Sequence, residues 1–383
     1  MRHNLAPDSI VLANVGYRSA DLNVTDNQTT FPFSSVSFGD SPKAGGGELQ
    51  HLFRSKRVNL VSGAGYFNVN SSIEATLVFD PILATPPAES STNTSQKHTN
   101  VYMYSYSRLA QNVTAIVGAS GDFLSSETQE IGDTNQFNPK FGIIWNPVPD
   151  TTLRAAAFRT LKRTLIVDQT LEPTQVAGFN QFFDDPNGTE AWNYGGAIDQ
   201  KLPHGLYAGA AFSKRDLKVP FLDFVTDPAN PTGQTAEWDE RFARAYLFWT
   251  PHKWVGLRAE YLYEHVEREQ SFTDGFLELT THRVPLGINF FHPSGLSAFL
   301  TGTYYKQDGL FDGFTSGIQQ SSSETFWLVD ASLSYRLPKR YGFIAIGVTN
   351  LTNQSFRYFD TDVKNASIQP ERMAFVKFTL ALP

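Results

Sequence analysis

The sequence contains no cysteine, which excludes disulfide scaffolds, zinc–thiolate centres and thiol catalysis. Long apolar runs are also missing. Nothing approaches the ~18 consecutive apolar residues of a membrane-crossing helix. Positive charge is the scarcer sign, with 31 Lys and Arg against 38 Asp and Glu and a formal net charge of -7. No basic stripe stands out, so nucleic acid is not an expected partner. The eight histidines show no metal-ligand spacing, and neither a metal nor a cofactor is expected. Met1–Asp8 holds no apolar leader. An exported chain needs such a signal, so residues 1–383 are expected to be the C-terminal part of a longer protein.

What the chain has is aromatic residues and a rhythm. Phe, Tyr and Trp make up 14% of it, against a mean hydropathy of only -0.28. Over Val255–Glu264 one parity reads Val, Leu, Ala, Tyr, Tyr and the other Gly, Arg, Glu, Leu, Glu. Successive strand residues point to opposite faces, so one face is apolar and the other charged. The same alternation recurs along most of the chain. Phe137, Pro139, Phe141, Ile143 and Trp145 oppose Asn138, Lys140 and Gly142. Trp327, Val329, Ala331, Leu333 and Tyr335 oppose Asp330, Ser332, Ser334 and Arg336. A packed soluble core does not leave its second face so polar in strand after strand. Lipid outside and a polar lumen inside explain both faces. One strand is ambiguous: Tyr102, Tyr104 and Tyr106 compete with Val101, Met103 and Ser105 for the apolar side.

Roughly sixteen strands are expected, an even number as in bacterial barrels. Short turns rich in Pro, Gly or Asn fall at Arg54–Arg57, Arg108–Asn112, Asn146–Asp150, Leu202–Gly205, Thr250–Lys253, His292–Gly295 and Leu337–Arg340. Longer polar connections span Thr25–Gly46, Asp80–His98, Ser125–Asn135, Ile166–Glu190, Leu222–Glu237, Gly309–Glu324 and Gln354–Pro370. The fold class is thus all-β: one transmembrane antiparallel β-barrel domain with short periplasmic turns and long extracellular loops. The expected location is the bacterial outer membrane, with its lipid and lipopolysaccharide as surroundings. A soluble propeller is disfavoured by the lack of a blade-length repeat.

Three stretches carry a family resemblance. Thr152–Arg163 ends an aromatic-Arg strand ahead of a long loop, Gly188–Asp199 opens the next strand, and Ile346–Tyr358 contains the pair Asn350-Leu351 before a polar turn and an aromatic. In order and spacing they resemble the C-terminal barrel of TonB-dependent outer-membrane receptors over residues 136–383. The resemblance implies transport, with uptake of an unidentified solute and no enzymatic activity. It also implies coupling to a periplasmic energy-coupling protein through an N-terminal plug, which this sequence does not show. The alternatives are a passive pore, a polysaccharide export barrel following a helical-repeat region, and a barrel that anchors a surface enzyme or adhesin.

The polar parity nominates Lys140, Arg154, Arg244, Arg258, Glu260, Asp330, Arg336 and Lys377 as lumen-lining residues, able to select a solute or hold a plug. Ordinary solvated or mutually paired side chains are the plainer reading of any one of them. His265 and His282 fall on the outward parity near the upper rim. No outward Ser with an orienting third group stands beside either, so they are expected to be interfacial rather than catalytic. The loop aromatics Phe179, Phe182, Phe183, Phe311 and Phe314 either grip a ligand or pack the loops together. One register is also expected. A two-residue turn centred on Asp274-Gly275 sets Tyr261 opposite Ile288, Tyr263 opposite Leu286 and His265 opposite Val284.

Overall fold

The computed structural model describes residues 1–26, 33–128, 130–163, 170–223, 232–269, 275–312, 319–359, 367–368 and 371–381. The strands begin with β1 (Arg2–Ala6), β2 (Ser9–Ser19), β3 (Leu22–Asp26), β4 (Phe33–Asp40), β5 (Lys43–Arg54), β6 (Val58–Phe79), β7 (Ala88–Ala110) and β8 (Val113–Ser126). They continue with β9 (Thr134–Trp145), β10 (Thr151–Leu161), β11 (Gln175–Val176), β12 (Phe179–Asn180), β13 (Glu190–Leu202), β14 (Leu206–Asp223), β15 (Thr232–His252) and β16 (Val255–Arg268). The last are β17 (Gly275–Phe291), β18 (Leu296–Asp312), β19 (Gln319–Arg336), β20 (Gly342–Thr349), β21 (Tyr358–Phe359), β22 (Ser367–Ile368) and β23 (Met373–Leu380). Three single-turn 3-10 helices are the only helices among the described residues.

The chain forms two compact units: Met1–Ile143 with Phe158–Ala191 and Val219–Thr235, and Ile144–Ala157 with Trp192–Lys218 and Ala236–Pro383. In the first, β2 pairs with β1 and β5, β4 with β3 and β6, and β5, β6, β7 and β8 follow one another, all antiparallel. In the second, β15 to β20 pair in succession and β20 pairs with β23, again antiparallel. The expected strands are all present, as β2, β5 to β10, β13 to β20 and β23.

Two features depart from expectation. β1 has no counterpart among the expected strands. Several expected loops are also strand: Thr25–Gly46 contains β4, and β7 starts at Ala88 inside the supposed loop Asp80–His98. β6, β7 and β15 run 22, 23 and 21 residues, about twice the ~9–11 needed to cross the bilayer. Beyond the apolar band both faces of a strand meet water. A stretch such as Ser90–Lys97 therefore keeps its ladder hydrogen bonds but loses the alternation by which a strand is recognised.

The two faces are inverted relative to a soluble protein. On β9, Gln136, Asn138 and Lys140 are buried while Phe137 and Phe141 are 66% and 53% exposed. The ambiguous strand β7 resolves the same way: Tyr102 and Tyr104 are buried on the polar side, and Val101 and Met103 are exposed. Glycine makes this possible. A Cβ on Gly63 would lie 2.5 Å from the Tyr102 ring, and one on Gly118 would lie 2.8 Å from the Tyr104 ring. Each ring thus lies over a bare stretch of a neighbouring strand. If the exposed face meets hydrocarbon, Phe141→Arg should cost about 2–4 kcal/mol, with Phe141→Leu near neutral. Reversible urea unfolding in lipid vesicles measures both.

The β16–β17 register is four residues from the expected one. Tyr263 pairs with His282, His265 with Thr280, Ala259 with Leu286 and Leu257 with Ile288. An even shift preserves facing, so Tyr261 and Tyr263 keep the outward side. Asp274 and Thr273 lie outside the described residues. Gly275, however, is already in β17 and pairs with Asp312 of β18, not across a tight turn. Packing sets the register: Phe276 and Leu279 are buried with Phe359, and the Arg268 guanidinium stacks between Trp238 and Phe276 at 4.3 and 3.9 Å from their centroids.

Candidate functional site

In the first unit the chain beyond β10 returns along the polar face. β11 and β12 form a two-stranded hairpin whose turn residues, Ala177 and Gly178, have φ of 48° and 88°, as a type I′ turn requires. Val176 and Ala177 are buried. They meet the wall at Gly142, where an added Cβ would lie 3.0 Å from Ala177 Cβ and 3.1 Å from Val176 Cγ1. Only glycine permits so close an approach. Gly142 lies near the short-turn end of β9.

Buried polar groups hold this segment. Arg163 Nη2 meets Glu172 Oε2 at 3.0 Å, and Nη1 lies 3.7 Å from Asp122 Oδ1. Glu172 accepts from Tyr104 Oη at 2.7 Å and Asn100 Nδ2 at 3.2 Å. Asp122 accepts from His98 Nε2 at 2.9 Å, Asn138 Nδ2 at 2.6 Å and Ser120 Oγ at 3.1 Å. Glu48 accepts from Thr170 Oγ1 at 2.6 Å and from the Leu171 amide at 2.8 Å, and Gln50 donates to the Leu171 carbonyl. Gln181 Nε2 donates to the Pro173 carbonyl at 2.6 Å. The Arg163 side chain also faces the Phe67 and Phe182 rings. Burial pulls its guanidinium down, but Glu172, Asp122 and Glu48 outweigh this and the net shift is upward. Arg163 is therefore a permanent cation.

The nominated residues fall on the polar parity. Lys140, 2% exposed, joins this cluster and donates to the Arg159 carbonyl at 2.9 Å. The others lie in the second unit. Arg154 pairs with Asp199 at 2.9 Å, and Asp199 also accepts from Tyr246 Oη at 2.7 Å. Arg244 pairs with Glu260 at 2.6 Å. Arg258 donates to Thr301 Oγ1 at 3.3 Å. Arg336 and Lys377 are exposed, with no ion pair among the described residues. The structure thus joins Arg154, Arg244 and Glu260 to carboxylate or guanidinium partners and leaves Arg336 and Lys377 apart.

Asp330 has a different task. Its Oδ1 accepts the Asn350 amide at 2.9 Å where the chain leaves β20. Asn350 has φ 50°, and its side chain bridges the Gln354 backbone at both N and O, at 2.8 and 2.9 Å. Leu351 N bonds to the Val329 carbonyl at 2.7 Å. The following residues pack back on the wall. Phe356 stacks on Phe326, and Gln307 exchanges two hydrogen bonds with the Phe359 backbone at 2.9 and 3.0 Å. The Asn350-Leu351 pair is thus a turn clamp. Asn350→Ala keeps the strained φ and loses both side-chain bonds. It should cost about 2 kcal/mol, read as an earlier thermal loss of the folded, compact gel band.

Two of the loop aromatics pack against neighbours. Phe182 faces Arg163 and Phe311 meets Phe359 at 4.8 Å; Phe314 lies outside the described residues. His282 Nδ1 meets Tyr261 Oη at 2.8 Å and His265 Nδ1 meets Thr280 Oγ1 at 2.9 Å, an outward ladder with no nucleophile geometry. The central residues Arg163, Glu172, Asp122 and Glu48 were not nominated from the sequence. Their one visible signal was the inward polar parity of β5, β8 and β9 and the Arg that closes Thr152–Arg163.

Antiparallel strands with a polar interior and an exposed apolar face, held without any membrane-crossing helix among the described residues, define an outer-membrane type of β-barrel protein. The chain belongs to the TonB dependent receptor-like β-barrel family, whose pattern it matches over residues 2–351, which extends the likeness to the N-terminal strands. That family is one of bacterial outer-membrane barrels, and the chain shares that location. The copper transporter OprC has a similar structure, with TM-score 0.67, 13% identity, and 98% of this chain and 63% of that one covered. The ferripyoverdine receptor of Pseudomonas aeruginosa gives 0.66, 11%, 98% and 54%. BauA, the ferric preacinetobactin receptor of Acinetobacter baumannii, gives 0.62, 12%, 98% and 61%. The chain therefore spans less than two thirds of their length. No curated protein matches it in sequence.

Proposed function

We propose that this chain is the barrel of an outer-membrane transport protein that takes up a solute too large for free diffusion. Family membership over residues 2–351 carries the reading, and the polar inner face with its ion pairs supports it. The solved neighbours are named for ferric siderophores and copper, so a metal ion or metal chelate is the first solute class to test. We read the chain as a transporter and not an enzyme. We also read residues 1–383 as one barrel domain of a longer protein, whose plug would meet a periplasmic energy-coupling protein. The nominated side chains Arg154, Arg244, Arg258 and Glu260 are then lumen residues that influence which solutes pass.

The test is uptake of radioactive copper and of ferric chelates by cells producing the protein in their outer membrane. Uptake above empty-vector cells that collapses when the proton gradient is dissipated is expected. Uptake equal to the control for every solute would reject the reading. Uptake indifferent to the gradient would make the barrel a passive pore.

A further inference from the structure

The wall that holds the 170–181 segment reads it as a ligand is read. Glu48 takes the amide N–H of Leu171 and Gln50 its carbonyl, so both backbone polar groups of one residue are recognised, one from each of two successive peptide units. A carboxylate, that of Glu172, is gripped by a guanidinium, a phenol and an amide. Charge-assisted bonds of this kind are the strong ones, and an arginine fork suits a carboxylate in particular. The seat is shaped as well, with Gly142 making room for the hairpin tip. Yet the segment does not saturate the wall. Arg163 Nε and Asn100 Oδ1 are buried and find no hydrogen-bond partner among the described residues, although Arg163 and Asn100 are 3% and 0% exposed. Buried polar atoms are rarely left so, and each exception asks for an explanation. A wall built only to pack this loop has no use for them. A wall built for a ligand with more polar groups than the loop does.

We propose that the polar face of β5, β7 and β8, together with Arg163, is a binding site for peptidic solutes that carry a free carboxylate, and that the chain's own Thr170–Gln181 segment occupies it as an internal substitute. This rests on the reading of the protein as a solute transporter. It narrows the organic part of the solute to one with an amide group next to an acid. A solute enters by displacing the hairpin: its carboxylate replaces Glu172 on Arg163, Tyr104 and Asn100, and its amide replaces Leu171 on Glu48 and Gln50.

The experiment is equilibrium binding of a fluorescent peptide, Thr-Leu-Glu-Pro-Thr, which copies residues 170–174. It is titrated against the full chain in detergent and against a variant with residues 171–182 replaced by a Gly-Ser linker of equal length. The variant should bind at least tenfold tighter than the intact chain. The same peptide with Gln in place of Glu should bind at least tenfold more weakly. A folded variant that binds no tighter, or that ignores the change of Glu to Gln, overturns the proposal. Glu172→Gln in the otherwise intact chain gives a second reading that avoids rebuilding the loop. It should speed amide exchange over 171–182 and strengthen peptide binding, and no change in either overturns the proposal. Peptide binding without any cellular uptake would instead reject transport and keep the site; uptake without peptide binding would reject the site alone.

Discussion

Replacing Arg163 with methionine should destabilise the protein by about 3–5 kcal/mol, the usual cost of leaving a buried charge without its partner. Arg163, Glu172, Asp122 and Glu48 are all buried. Without the guanidinium, Glu172 keeps only Tyr104 and Asn100, and Asp122 keeps His98, Asn138 and Ser120. The hydrogen bonds that remain do not offset the desolvation of two carboxylates. The double variant Arg163→Met/Glu172→Leu removes both charges and should recover most of the loss, since apolar replacement of a whole buried pair is often neutral. Thermal unfolding of the folded gel band, with the Glu172→Leu single variant completing the cycle, reads the coupling. Additive losses across the cycle would mean that the 3.0 Å contact contributes nothing.

The second large effect concerns passage. Oxidation of a Gly142→Cys/Ala177→Cys variant should cut potassium chloride conductance in planar bilayers at least tenfold relative to its reduced form. The two β-carbons would lie 3.0 Å apart, close to the ~3.5–4.5 Å that a disulfide spans, so a small adjustment suffices. The native chain has no cysteine, so no other thiol competes. Equal currents in the two redox states would show that the hairpin does not leave its seat, or that ions pass it while it is seated.

The candidate site was only half legible in the sequence. Lys140 was visible because it lies on the polar parity of a strand whose other parity is apolar, and the structure puts it in the buried cluster. Arg154, Arg244 and Glu260 were visible for the same reason. Arg163 and Glu172 were not, because both lie past the end of β10, where periodicity stops and a charged residue looks like any solvated loop residue. Glu48 carried no signal of its own, since its partner Leu171 is 123 residues away. The β16–β17 register failed for a related reason. An Asp-Gly pair is a local preference of modest strength, and burial of Phe276 and Leu279 against Phe359 outweighs it.

The alternation of Phe137, Phe141, Ile143 and Trp145 with Asn138 and Lys140 determined, by itself, that this strand has one apolar outward face and one polar face. Side-chain facing is a property of each strand alone, because the period is two whatever the neighbour. The Pro, Gly and Asn clusters likewise determined where the short turns fall, since turn chemistry is local. Only the tertiary structure decided how far the strands run into water, which register β16 and β17 adopt, and which polar residues meet. Ladder hydrogen bonds continue where alternation has ended. Register is chosen by packing between strands. The meeting of Arg163 with Glu172, Asp122 and Glu48 depends on a hairpin folding back along the wall, which no local pattern encodes.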